Sequence, residues 1–202
     1  MKMGYAVRHD DNAPQIKGTY ILELRDSRTG ELLDYRELDN LITLDAGIFS
    51  AMHYACGAAP SPPVSGLTML AVGTGATGPL LGPDAPDPRQ RHLNAELTLG
   101  RKAFSLRQYR TAAGAVSGVA TNVLDLTCSF GEGEAVGPLN EMGLMRTISQ
   151  NPTVKNPVPS TFPAYDTTID LSIYDVMVNY TTFSVMTKTS TTILTISWRL
   201  TF

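Results

Sequence analysis

Cysteine, histidine and charge are all scarce in this chain. Its 202 residues hold two cysteines, Cys56 and Cys128, far apart and with no CxxC spacing, which excludes a zinc knuckle and a thioredoxin-type motif. They read as buried free thiols, with a single disulfide as the other option, and as synthesis in a reducing cytoplasm. The three histidines, His9, His53 and His92, show no HxH or HExxH spacing, so they offer no metal ligand set. Charged residues make up 17% of the chain, against about 25% in an ordinary soluble domain. The balance of 16 Lys+Arg against 19 Asp+Glu leaves a net charge of -3. A nucleic-acid partner would need a basic patch to replace released counterions, and none is present. No apolar run approaches the roughly 18–20 residues of a bilayer span, and the opening residues 1–11 have no hydrophobic signal core. The expectation is a chain with no nucleic-acid or membrane partner, part of whose surface is covered by other protein.

What is present is short-period alternation. Tyr20, Leu22 and Leu24 share one face of a strand, the turn-forming stretch 26–30 follows, and residues 32–38 return, which reads as a β-hairpin. Leu124, Leu126, Cys128 and Phe130 lie on one face of a second strand. Leu194, Ile196, Trp198, Leu200 and Phe202 lie on one face of a third, opposite Thr195, Ser197, Arg199 and Thr201. On this pattern the last residue, Phe202, belongs to the core. Residues 67–72 form a short apolar strand, residues 97–110 a longer one, and residues 168–180 a β-rich run bending near Asp175. Thr111 to Ala120, rich in Ala and Gly, reads as a turn.

One helix is expected, from Leu44 to about Cys56. Thr43 can cap it, Leu44, Ile48 and Met52 recur at four-residue spacing, and Gly57 can end it. Gly47 weakens it by about 1 kcal/mol, so packing on a sheet must hold it. Proline punctuates the rest: residues 58–63, the stretch 78–89 with Pro79, Pro83, Pro86 and Pro88, and the stretch 151–163 with Pro152, Pro157, Pro159 and Pro163. The whole reads as one domain over 1–202: mainly β, an antiparallel β-sandwich with one α-helix packed on it and extended Pro-rich loops. Residues 1–18 are expected as an N-terminal arm, and 149–166 as an extended loop or an arm laid on a neighbouring subunit.

Residues with chemical potential are few. Gly73-Thr74-Gly75-Ala76-Thr77-Gly78 spells GxGxxG, but Pro79 follows where a dinucleotide site needs a helix, and no Lys makes it a phosphate loop. A glycine-rich turn is the better reading. Glu132, Glu134 and Glu141 are the one carboxylate cluster of interest, and a Glu134/Glu141 pair is the arrangement a glycosidase uses. Sugar clefts are usually aromatic-rich, whereas aromatics are 7% here, so these carboxylates are expected to accept backbone N–H bonds in a connector. Asn179-Tyr180-Thr181 fits the N-glycosylation pattern but lacks a secretory context. No GxSxG elbow is present. The expected site is therefore none: no catalytic, cofactor-binding or metal residues, and no cofactor.

Four segments, in order, resemble a recurrent class of tailed-bacteriophage virion proteins. Leu41-Ile42-Thr43-Leu44-Asp45-Ala46-Gly47 is similar to the opening of that class's helix. Leu70-Ala71-Val72-Gly73-Thr74-Gly75, followed by Leu93-Asn94-Ala95-Glu96, resembles its "AVGTG … L-x-x-E" element. Phe130-Gly131-Glu132-Gly133-Glu134-Ala135 leading to Asn140-Glu141-Met142-Gly143-Leu144 resembles "F-x-x-x-E-A … E-x-G-L". Phe183-Ser184-Val185-Met186-Thr187-Lys188-Thr189, running into residues 194–202, resembles the terminal "F-S-x-x-x-K-T … L-T-I-T-W-x-I-T-F". The matches span about residues 40 to 202. Stretches 79–88 and 151–163 look expanded relative to the class pattern. The resemblance implies a non-enzymatic building block of the virion, assembled in the host cytoplasm into the tail, baseplate, collar or fibre-attachment region. Its partners would be other virion proteins and copies of itself in a symmetric homo-oligomer. Capsid decoration is the alternative within the class, and a carbohydrate- or receptor-binding module is a further one.

Overall fold

The structure is a computed structural model describing residues 17–54, 66–75, 85–159 and 163–202. The chain runs β1 (Lys17–Asp26), β2 (Leu32–Asp39), β3 (Leu41–Ile42), α1 (Leu44–Tyr54), β4 (Met69–Gly73), β5 (Glu96–Ala103) and β6 (Leu106–Arg110). It continues through β7 (Val116–Ser117), β8 (Val123–Phe130), β9 (Gly137–Arg146), β10 (Val176–Lys188) and β11 (Thr192–Thr201). The strands form two antiparallel sheets, one of order β2-β1-β11-β8-β6-β7 and the other of order β3-β10-β9-β4-β5. Their inner faces interdigitate as a sandwich. Tyr20, Leu22, Leu126, Phe130, Ile196 and Trp198 come from the first sheet, and Leu70, Val72, Leu139, Met142, Leu144 and Val176 from the second. Tyr20 stacks on Trp198 with ring centroids 5.5 Å apart.

The sandwich is laced at both sides by chain that changes sheet. At Asn40 the β2 segment leaves the first sheet and becomes β3 of the second. At Phe104–Ser105 the β5 segment leaves the second sheet and becomes β6 of the first. Each corner is pinned by a backbone bond, Asn40 N–H to Gly18 O (3.2 Å) and Ser105 N–H to Thr127 O (2.8 Å). The expected single strand over 97–110 is thus two strands, because burying Phe104 between the sheets requires the turn.

The β1–β2 hairpin follows its sequence. Asp26 Oδ1 accepts from Arg28 N, Thr29 N and Thr29 Oγ1, closing the turn, and Gly30 takes φ +73° as the chain reverses. Those bonds, Thr29 N–H first, hold the Asp26 carboxyl below its usual pKa.

Helix α1 is the one α-helix among the described residues, and it lies where expected as far as Tyr54; residues 55–57 fall outside the description. Its buried face is only partly the expected one: Ile48 and Met52 pack half-buried against the core as their spacing predicts. Leu44 is 47% exposed, while Asp45, Ala46 and Phe49 are buried. Thr43 does not cap the helix with its side chain: Thr43 Oγ1 donates to Met177 O at 2.7 Å, tying the helix start to β10. That tether turns Asp45, not Leu44, inward.

Two further expectations change. Residues 168–175 are turn and a short 3-10 helix (Leu171–Ile173), and the strand begins at Val176 and continues to Lys188. Asp170 stops extension there by accepting from Ser172 N. Phe202 is 52% exposed, not core, although its backbone is fixed by exchange with Asn122 (Phe202 N to Asn122 O, 2.9 Å; Asn122 Nδ2 to Phe202 O, 3.1 Å). The four preceding inward residues, Leu194, Ile196, Trp198 and Leu200, are buried. The described part of the 149–166 stretch docks on its own chain: Val158 is buried and Pro157 bridges Asp175. Residues 1–16, the loop 58–63, Cys56, His9 and most of the 79–88 stretch lie outside the described residues.

Candidate functional site

β9 carries polar residues into the second sheet. Residues 139–147 are all buried, because the inner face meets the first sheet while the outer face is covered by loops, among them 85–95 and 148–175. On that outer face Glu141 is 0% exposed. Its Oε1 accepts from Ala95 N (2.7 Å) and Gly75 N (3.1 Å), and its Oε2 accepts from Asn94 N (2.9 Å) and Tyr180 Oη (3.0 Å). One carboxylate thus fastens the end of β4, the loop before β5 and the middle of β10 to β9.

The neighbouring glycines are required by this knot. A Cβ on Gly73 would lie 2.5 Å from Glu141 Oε1 and 2.6 Å from Ala95 O, so only a bare Cα lets the backbone come this close. Gly75 takes φ +62°, which turns its N–H onto the carboxylate. Of the glycine-rich stretch only Gly73 to Gly75 are described: Thr74 N–H bonds to Ala95 O (3.0 Å) and Gly75 N–H to Glu141, and residues 76–78 lie outside the described residues.

A second node joins the loops to β5. Arg101 and Asp175 are each buried and paired with one another. Arg101 also forms a two-pronged pair with Glu96 (Nε to Oε1 2.7 Å, Nη2 to Oε2 3.0 Å). Asp175 accepts from Ile148 N and Asn156 N, both at 2.8 Å, and Lys155 Nζ reaches Glu96 at 2.8 Å. A third node lies at the start of α1. Asp45 pairs with Arg91 at 3.2 Å and accepts from Tyr165 Oη, while the Arg91 guanidinium sits 4.0 Å over the Tyr165 ring. Burial first, then Asp45, raises the Tyr165 pKa.

Glu134 belongs to a different neighbourhood from Glu141. It pairs with Lys102 and accepts from Gly131 N at 2.7 Å, and the Lys102 contact holds its carboxyl below its ordinary pKa. Nearby Lys188, 1% exposed, donates to Gly131 O (2.8 Å) and Thr192 O (2.9 Å), and burial lowers its pKa. The carboxylates singled out in the sequence therefore share no partner, and Glu132 stands exposed. Glu134 and Glu141 both accept backbone N–H bonds as expected, but only Glu134 does so from a connector; Glu141 lies within β9, whose two-sided pairing with β4 and β10 makes residues 137–146 a strand.

Sequence reasoning missed Arg101, Asp175, Asp45, Arg91 and Tyr165. Asp45, Glu96 and Lys188 did lie in the segments that carried the resemblance, and this was the available signal for three of the polar groups. His53 packs edge-on against Phe49 with centroids 4.5 Å apart, and His92 Nδ1 lies 2.9 Å from Leu93 O. Among the described residues no group of three His, Cys, Asp or Glu side chains could hold a metal ion. No described helix is long and apolar enough to cross a membrane. An apolar cavity of about 500 Å³ lies between α1 and the ends of β8 and β11, lined by Phe49, His53, Leu126, Trp198, Leu200 and Phe202 among others. Trp198 itself is 2% exposed and is no platform for a sugar, whereas Tyr54 (93%) and Tyr35 (50%) are open to solvent. No family model, no curated protein and no solved structure matches the chain.

Proposed function

We propose that this chain is a non-enzymatic structural subunit of a tailed-bacteriophage particle, built into the tail, baseplate, collar or fibre-attachment region and acting by binding copies of itself and other virion proteins. One observation carries the reading. Segments that resemble the virion class, though 46 or more residues apart in sequence, meet at Glu141: Gly73 and Gly75 from the first half of one element, Asn94 and Ala95 from its second half, and Glu141 itself from the next element. What they share with the class is thus spent on holding the fold. A carboxylate closed off from solvent and occupied by four donors is a fastener, with no room for the water or sugar oxygen that acid–base cleavage requires. A subunit defined by such internal ties works through its surface, and low charge suits a surface that other protein covers.

The test is a mass-spectrometric inventory of purified particles from a culture that expresses this chain. The expected result is recovery in a fixed ratio to the major particle proteins. Intact particles lacking the chain would end the reading. Degradation of cell-wall or capsular sugars by the purified protein, lost in Glu141→Gln, would replace it with a glycosidase.

A further inference from the structure

β2 is the outermost strand of the six-stranded sheet, and the phase of its backbone can be read directly. Asn40 N–H donates to Gly18 O beside β1, so even-numbered residues of β2 turn their backbone groups toward β1 and odd-numbered ones turn theirs away. No register shift interrupts that phase between Asp34 and Asp39. The Asp39 carbonyl, odd-numbered, accepts from Thr181 Oγ1 of β10, on the side away from β1. Tyr35 and Glu37 therefore present N–H and C=O groups to an open edge, and no described group bonds to them there; Leu33 is the extra residue of a bulge, skipped between the pairs Leu24–Asp34 and Arg25–Leu32.

Natural sheet edges are usually blunted by proline, charge, a bulge or a covering segment. The adjacent edge of β10 has such a device: the Arg36 guanidinium donates to the carbonyls of Ser184 and Val185. β2 has no proline, its bulge is confined to Leu33 at the hairpin end, its charges alternate in sign over Asp34 and Arg36, and Tyr35 is 50% exposed. From Asp34 to Leu38 it is an edge left competent to pair.

We propose that β2 pairs antiparallel with β2 of a second copy across a two-fold axis through Tyr35, joining two six-stranded sheets into one. The charges of the strand select both partner and register. With Tyr35 on the axis, Asp34 faces the partner's Arg36 and Arg36 faces the partner's Asp34. The two tyrosines stack. Each Asp34–Arg36 pair already exists within one copy (Nη2 to Oδ2, 2.7 Å), so the contact sets two such pairs side by side with signs alternating. Shifting the axis to residue 34, 36 or 37 sets Asp34, Arg36 or Glu37 against its own copy, and shifting it to residue 38 sets Glu37 against Asp39. Beyond Asp34 the bulge at Leu33 takes the chain out of this register, so Asp39 is not set against the partner's Glu31. An isologous contact of this kind is self-complementary, as a closed two-fold dimer requires.

This adds a route of self-association to the assembly reading above, and it is tested on isolated protein, so either can fail without the other. In a Cys56→Ser background, Tyr35→Cys is expected to form covalent dimers under mild oxidation, since directly opposed Cα atoms at this position lie about 5.5 Å apart, within disulfide reach. Glu37→Cys, which this register sets well away from its own copy along the ladder, is expected not to cross-link. By sedimentation equilibrium the full chain is expected to be dimeric or a multiple of dimers. Tyr35→Pro, which removes only an outward-facing N–H, should be a folded monomer with wild-type circular dichroism, and Tyr35→Lys, with like charges on the axis, should match it. A monomeric wild-type chain or cross-linking that ignores this register would overturn the proposal. So would capture of Tyr35→Cys by a cysteine placed within residues 1–16 of its own chain.

Discussion

Replacing Glu141 by Gln keeps shape and volume and removes one charge, so it asks directly whether the carboxylate is a fastener. The amide oxygen can keep the bonds from Gly75 N and Ala95 N, but both pass from charge-assisted to neutral and weaken by about half. The amide nitrogen replaces Oε2, and although Tyr180 Oη can rotate to accept, Asn94 N–H then points at another donor. A buried donor left without an acceptor costs about 1–3 kcal/mol, so with the weakened bonds the total is about 3 kcal/mol. In a chain of this size each kcal/mol moves the midpoint by roughly 2–4 °C, giving an expected fall of about 6–12 °C in calorimetry. An opposite outcome has its own physical cause. Burying an anion with no cation among its hydrogen-bond partners carries a desolvation cost that Gln relieves. If the variant melts within 2 °C of wild type or above it, desolvation outweighs the four bonds and the fastener argument is wrong.

Trp198→Ala should cost about 3–5 kcal/mol, because the side chain is 2% exposed and stacked on Tyr20, whereas Phe202→Ala, at 52% exposure, should cost under about 1 kcal/mol; urea titrations of both would separate them. Asp125 is held below its ordinary pKa, first by Arg199 and then by Arg110. Its contribution is therefore complete above the unfolded value of about 3.9 and is lost as pH falls through the native value, so Asp125→Asn should flatten the acid limb of stability below about pH 4. Burial pushes the Cys128 thiol up to about 12, so in a Cys56→Ser background it should resist a disulfide reagent at pH 8 until the protein is unfolded.

Strands with one face on the core and one toward solvent were legible from sequence. β1, β8 and β11 alternate because their two faces meet different media, and Tyr20, Leu22, Leu126, Cys128, Ile196 and Trp198 all lie inward as their spacing required. β9 was not legible, and the cause is its second covering. From Leu139 to Thr147 both faces are buried, so alternation disappears, and Asn140, Glu141, Gly143 and Arg146 break the apolar run that would otherwise mark a fully buried strand. The same double covering hid the start of β10, where Val176 to Tyr180 are buried without interruption. The helix was found, and Ile48 and Met52 pack on the core as spaced, but Leu44 turns outward and Asp45 inward. Which face turned inward was decided by Thr43 bonding to Met177, 134 residues away, and no local spacing encodes that contact.

The polar interior was legible only as residues, never as a site. Glu141 was singled out as a carboxylate, but its partners lie 66, 47, 46 and 39 residues away, so local spacing said nothing of its four bonds. Its use follows from how this chain distributes charge. Asp45, Arg91, Arg101, Glu141, Arg146, Asp175 and Lys188 are all buried, a fifth of the 16 basic and 19 acidic residues the sequence contains. A composition already poor in charge is therefore poorer still on the surface. Six of these seven fasten loops or the helix start over the outside of the second sheet or its rim, while Lys188 ties the turns beside it. Among the described residues the outer face of the first sheet receives no such cover. Thr19, Ile21, Glu23, Thr127, Thr195 and Ser197 lie half-exposed there, and its β2 edge carries free backbone groups. One side of the sandwich is closed by buried ion pairs and the other is left open, and that asymmetry is the physical reason to look for the neighbouring subunit on the first sheet.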